Sequence, residues 1–163
     1  MSEKQPPSEK APRDAGAILA EVGLTPEQLQ GKKVVSFGES LAGKVEGAEI
    51  TDFTTDHYEY YLATNVLAVE GDLNYVVVVG ESILQKELDY PGRSEFLGEV
   101  MQLLKPDGGI LLIAKPVIKP QYADSPEDVE VDYERAMEDR GLKISARYDE
   151  SDRENPYMSI QNI

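Results

Sequence analysis

Apolar residues recur along this chain in two rhythms. Three short continuous runs, 33–37 (KVVSF), 74–79 (NYVVVV) and 110–114 (ILLIA), have the length and β-branched content of strands covered on both faces. A briefer run, 48–51, predicts another strand, with Asp52 directly after it. Between the runs, apolar positions fall at helical spacing. Tyr58, Leu62, Val66 and Val69 form one stripe, with Thr55 or Asp56 as cap. Phe96, Leu97, Val100, Met101 and Leu104 form a second, with Ser94 as cap. Val129, Tyr133, Ala136 and Met137 form a third within 129–140, and Gly141 is its stop. Residues 143–148 alternate through Ile144, Ala146 and Tyr148, and 157–163 reads as a last strand. The chain therefore closes in a hairpin over the polar loop 149–156.

Ahead of this core, 14–22 predicts a short helix with Ile18, Leu19 and Val22 on one face, ended by Gly23. Thr25 as N-cap and Pro26 at the first helical position open another brief helix through Leu29 and Gln30. Residues 38–43 read as a turn that enters a short helix. Turn chemistry recurs at Asp89-Tyr-Pro-Gly92 and at Lys105-Pro-Asp-Gly-Gly109. Residues 1–13, rich in Pro, Ser, Glu and Lys, predict a flexible tail, which leaves 14–163 as the folded unit. Strands alternating with helices imply βαβ units. The expected fold is a single α/β, Rossmann-like domain with a mainly parallel sheet, helices on both faces and a C-terminal antiparallel hairpin.

Charge and composition narrow the function. The 163 residues include 31 acidic and 16 basic ones, for a formal net charge of −15. Such a field repels nucleic acid and anionic membrane surfaces and serves solubility, or docking of a basic protein partner. Cysteine is absent and His57 is the one histidine, which excludes disulfides, thiolate nucleophiles, iron–sulfur clusters and multi-His metal sites. No metal site is expected. The N-terminal stretch has no apolar core of a signal peptide, and no apolar run is long enough to span a bilayer, so a cytoplasmic location is expected.

Two segments then bring a family into view. Glu99-Val-Met-Gln-Leu-Leu-Lys-Pro-Asp-Gly-Gly-Ile-Leu-Leu-Ile resembles the "helix, LKPGG, apolar strand" segment of class I S-adenosylmethionine methyltransferases. Asn74-Tyr-Val-Val-Val-Val-Gly-Glu-Ser resembles the strand that precedes it in that family. The resemblance covers 33–163. It implies a site at the carboxyl ends of the strands, where Gly38, Ser40 and Ala42 stand in for a Gly-x-Gly-x-Gly turn. Asp52 stands where family members place an acid on the ribose hydroxyls. Glu81 and Ser82 follow a buried strand at the same edge and complete the set of candidate cofactor-lining residues.

The spacing departs from the family pattern. Only about ten residues separate the first two strands, which leaves little room for the usual crossover helix. One strand–helix unit between Asp52 and Asn74 is also missing. In both respects the chain is similar to the reduced methyltransferase-like N-terminal domain of anamorsin-type proteins, without their cysteine-rich tail. The expectation is a methyltransferase-like domain that has lost catalysis, needs no cofactor and serves as a binding or assembly module. The alternative is a small S-adenosylmethionine-dependent methyltransferase.

Other chemistry is weaker. His57 is a possible base or a helix cap. Tyr58, Tyr60 and Tyr61 stack a substrate or pack on the sheet. Lys115-Pro116 holds an anion or turns the chain. Gly80-Glu-Ser-Ile lacks the second glycine of a nucleophile elbow.

Overall fold

The computed structural model of the protein describes residues 13–53, 71–80, 82–86, 92–117, 126–150 and 154–163. Of the calls made above, the tail expected at 1–13 apart from Arg13, the helix expected around Tyr58–Val69 with His57 and its tyrosines, most of the stretch between Asp52 and Asn74, and Glu81 lie outside the described residues.

Among the described residues six strands form one sheet: β1 (Lys33–Gly38), β2 (Glu49–Phe53), β3 (Tyr75–Val79), β4 (Ile110–Ala114), β5 (Ile144–Asp149) and β6 (Tyr157–Asn162). Their order is β2-β1-β3-β4-β6-β5. The first four run parallel, and β6 joins β4 and β5 antiparallel. This is the expected α/β class, closed by the expected hairpin.

Each face has its own core. On one face Val35, Phe37, Val76, Val78, Leu111, Ile113, Met158 and Ile160 meet α2 (Arg93–Leu103) and α3 (Pro126–Glu138). Phe96 stands edge-on to Phe37 with ring centroids 5.6 Å apart. On the other face Val34, Val77, Val79, Leu112 and Ala114 meet α1 (Ala15–Ala20) and a 3-10 turn at Pro26–Leu29. Asp14 caps α1 by accepting from the Ala17 amide at 2.7 Å. Among the described residues no helix is long and apolar enough to cross a membrane.

The brief helix expected after Thr25 is present as a 3-10 helix, closed by the Thr25 amide donating to Gln28 Oε1 at 2.8 Å. Two helix starts need correction. α2 starts at Arg93, because Gly92 at φ 82° turns the chain into it, so Ser94 lies inside the first turn rather than at the cap. α3 starts at Pro126, where a proline and the acidic pair Glu127 and Asp128 suit a first turn.

Residues 39–48, between β1 and β2, contain no helix. The loop nevertheless does a helix's packing work. Leu41 and Val45 are buried in the same cluster as Ile18 and Leu19, so two side chains cover the sheet where a crossover helix would lie.

The C-terminal end of α2 is closed by Asn162 on β6. Its amide donates to the carbonyl of Met101 in the last turn at 3.0 Å, a group of the kind a helix end leaves open, and to that of Lys105 just beyond the helix at 3.1 Å.

Beneath the other end of α2, Arg93 is fully buried. Its guanidinium donates to the Leu84 carbonyl at 2.6 Å and to the Tyr133 hydroxyl, and lies 5.1 Å from the Tyr133 ring centroid. One side chain thus joins a 3-10 turn (Ile83–Gln85), α2 and α3. Burial holds the Tyr133 phenol above its ordinary pKa, against the opposing pull of Arg93. Burial also raises Tyr157 and Tyr148, helped by the negative charge of Asp149 and Glu150 respectively. In the unfolded chain these phenols ionise first, near pH ~10. The stability they contribute is therefore complete below that value and lost as pH rises toward the folded-state values. Thermal melts across the alkaline range are expected to show a level melting point that falls above about pH 10. A melting point that stays level well beyond it would contradict the burial of these rings.

Candidate functional site at the carboxyl edge of the sheet

Because β1 to β4 are parallel, their carboxyl ends meet at one edge. Of the candidate residues, the structure brings Gly38, Ser40, Ala42 and Asp52 together around the β1–β2 loop. Ser82 lies at the same edge beyond β3.

Gly38 has φ 96°, and a Cβ there would sit 1.8 Å from the Val79 carbonyl oxygen. That carbonyl also accepts from the Glu39 amide at 2.9 Å. The glycine is therefore required by the close approach of two strand ends, with no ligand invoked. Ser36, one turn of the pleat earlier, donates its hydroxyl to the Glu39 carbonyl at 2.6 Å and fixes the exit from β1.

Asp52 lies inside β2, paired with Ser36, rather than directly after the strand, and its side chain points back at the loop. Its carboxylate accepts from the Ser40 hydroxyl at 2.5 Å, the Leu41 amide at 2.9 Å and the Ala42 amide at 3.1 Å. Three donors thus converge on a group with about four lone-pair sites. The acid, the small residues and the loop amides form one closed unit. Leu41 is buried in the core directly beneath it, which fixes the direction of its amide.

Ser82 is buried and caps the Ile83–Gln85 turn. Its hydroxyl accepts from the Leu84 amide at 3.1 Å, and its own amide donates to Gln85 Oε1 at 3.1 Å. Gln85 then donates through Nε2 to the Ala114 carbonyl at 2.6 Å, tying the turn after β3 to the end of β4.

The rest of the edge is laced by charge. Arg13 pairs with Glu39 at 2.6 Å and with Glu21, and Lys115 lies 3.8 Å from Glu21. The hydrogen bonds to Glu39 and then Glu21 raise the Arg13 pKa above its usual value. Lys115 adopts φ 47°, and its amide donates to the Pro156 carbonyl at 2.8 Å, so this residue turns the chain out of β4. Arg13, Glu21, Glu39 and Gln85 were not singled out by sequence reasoning. For Gln85 a signal existed, since Ser82-x-x-Gln85 has capping-box spacing. For Arg13, at the end of a polar segment, there was none.

Among the described residues, two clefts lie away from the β1–β2 loop. One, of about 530 Å³, lies at the opposite edge by Met101, Leu104, Leu142 and Lys143. The other, of about 470 Å³, lies beside Glu130, Arg147 and Tyr157 on the hairpin. No group of three or more His, Asp or Glu residues suited to a metal ion occurs among the described residues.

Four parallel strands in the order β2-β1-β3-β4, helices on both faces and an antiparallel β6-β5 end define a class I methyltransferase-like fold. An O-methyltransferase family protein from Burkholderia thailandensis has this fold, with a TM-score of 0.51 and 10% identity over 90% of this chain and 55% of its own. The chain thus spans about half the length of that protein. Fibrillarin from Aeropyrum pernix, solved with natively bound S-adenosyl-L-methionine, aligns with a TM-score of 0.46 and 13% identity over 90% of this chain and 73% of its own. The aminoglycoside resistance methyltransferase NpmB1 aligns with a TM-score of 0.48 and 11% identity over 93% and 95% of the two chains. No protein-family model matches the sequence, and no curated protein matches it.

Proposed function

We propose that this chain is a methyltransferase-like domain that does not transfer methyl groups and acts as a binding or assembly module. The observation that carries this reading is Asp52. The acid that this fold family directs at the cofactor's ribose is engaged by Ser40, Leu41 and Ala42 of its own loop. A ribose would have to compete with three donors that already engage it. The loop amides that would face the cofactor are turned inward by the same contacts. The residues present therefore do not fit S-adenosylmethionine, and no methyl-transfer step is derived.

The short loop that replaces the first crossover helix supports the same reading. It belongs, with the Leu-Lys-Pro-Asp-Gly run and the closing hairpin, to the features by which the chain resembles the reduced N-terminal domain of anamorsin-type proteins. The partner this surface suits is a basic protein. Acid is concentrated on α3, which carries Glu127, Asp128, Asp132 and Glu138 besides the two carboxylates engaged by β5, against one arginine, Arg135.

The test is a thermal melt with S-adenosylhomocysteine at large excess. A preformed site at a hundredfold excess over Kd would add about 2.7 kcal/mol, or several degrees. The expected result is no shift, with Asp52→Ala lowering the melting point of the ligand-free protein by loosening the loop. A shift of several degrees that Asp52→Ala abolishes would instead establish a small methyltransferase.

A further inference from the structure

β5 ends the sheet, yet its outer backbone is not open. The Ala146 amide donates to Glu134 Oε2 and the Tyr148 amide to Glu130 Oε2, each at 3.0 Å. The match is stereochemical. Amides on one side of a strand repeat every second residue, about 6.8 Å apart. Carboxylates four residues apart on a helix stand about 5–6 Å apart at Cβ. α3 lies along β5 and sets one row against the other. Ile144 and Ala146 anchor this arrangement by burying their side chains in the same core as Val129 and Tyr133 of α3.

We infer that Glu130 and Glu134 hold shut a self-association edge, and that the surface they cover fits a second copy of this chain, β5 against β5, antiparallel. Residues 144, 146 and 148 turn their backbone groups outward, because 145, 147 and 149 face β6 in the opposite phase. A two-fold axis at Ala146 would place Ala146 opposite itself and Ile144 opposite Tyr148. In the same register Asp149 falls opposite Lys143 of the second copy, and Arg147 opposite Ser145. The edge is thus complementary to itself in backbone and in charge. The carboxylates prevent the pairing in two ways. They occupy the amides that a partner strand needs, and they bring four negative charges to the contact in a chain whose net charge is −15. This inference is independent of the proposed loss of methyl transfer.

Sedimentation equilibrium on the whole chain tests it. The wild-type protein is expected to be monomeric. Glu130→Ala with Glu134→Ala is expected to dimerise, with association about tenfold tighter for each carboxylate removed. Glu130→Gln with Glu134→Gln keeps an oxygen that accepts from the same amides and is expected to stay monomeric. Adding Ala146→Pro to the double alanine variant removes an outward amide without touching the β6 ladder and is expected to restore the monomer. The proposal is overturned if the wild type already pairs through β5 or if the folded double alanine variant stays monomeric. It is equally overturned if the glutamine pair associates as tightly as the alanine pair, or if Ala146→Pro leaves the dimer intact. Should the double variant fail to fold, Glu134→Ala alone carries the test, with the same two outcomes.

Discussion

Gly38→Ala is expected to leave little folded protein. The new methyl group would lie 1.8 Å from the Val79 carbonyl oxygen and 2.8 Å from its carbon, at a backbone φ of 96°. Both obstacles are backbone, so no rotamer change relieves the contact. Relief requires β1 and β3 to separate at their carboxyl ends, which breaks the Glu39 to Val79 hydrogen bond and draws on the central ladder of the sheet. Backbone strain alone costs about 1–3 kcal/mol, and the disrupted pairing adds to it. A loss above about 4 kcal/mol is a large part of a stability of about 5–15 kcal/mol. Gly31→Ala is the control. Its φ is 75°, but nothing lies within 4 Å of the added carbon. It is expected to cost about 1 kcal/mol, from conformation alone. Urea unfolding of the two variants separates close approach from backbone preference. Equal losses would mean that the strand ends do not meet as described.

Arg93→Ala is expected to cost about 3–5 kcal/mol, by emptying the volume of a fully buried side chain and leaving the Leu84 carbonyl and the Tyr133 hydroxyl without their donor. Arg93→Lys gives a sharper test. An ammonium supplies charge but not a planar fork, so it cannot both reach the Leu84 carbonyl and lie over the Tyr133 ring. Its loss should fall between wild type and Arg93→Ala. If lysine substitutes without loss, charge rather than geometry is what the site requires. If Arg93→Ala costs less than about 1 kcal/mol, the junction of the three elements is not held by this residue.

The parts of the fold legible in the sequence are those where one physical signal dominates. Apolar β-branched runs marked β1, β3 and β4, since only strands covered on both faces leave no polar phase. Alternation marked β5, and the polar loop after it marked the hairpin that leads into β6. The stripe from Phe96 to Leu104 marked α2, and the glycines and prolines marked its end. What escaped was decided by tertiary contact. Arg93 reads as a surface residue until α3 and the Ile83–Gln85 turn close over it. The short spacing announced that a full crossover helix does not fit between β1 and β2, but Leu41 and Val45 carry no periodicity, so nothing announced that these two side chains cover the sheet in its place. Asp52 was legible in place but not in direction. A carboxylate near the carboxyl end of a strand points outward to a ligand or back to its own loop according to where Leu41 is buried, and that is a fact of packing.

The strand order carries a consequence for how the molecule is made. β6 lies inside the sheet, between β4 and β5, although it follows both in the chain. Until it arrives during synthesis, the backbone of Ile110–Ala114 has no neighbour on that side, and this strand is wholly apolar. A ribosome stalled before Tyr157 would display a bare, sticky template of the kind that recruits chaperones and seeds aggregates. Insertion of the last hairpin is then the step that ends this exposure, and the tolerance of the protein to slow translation rests on its speed.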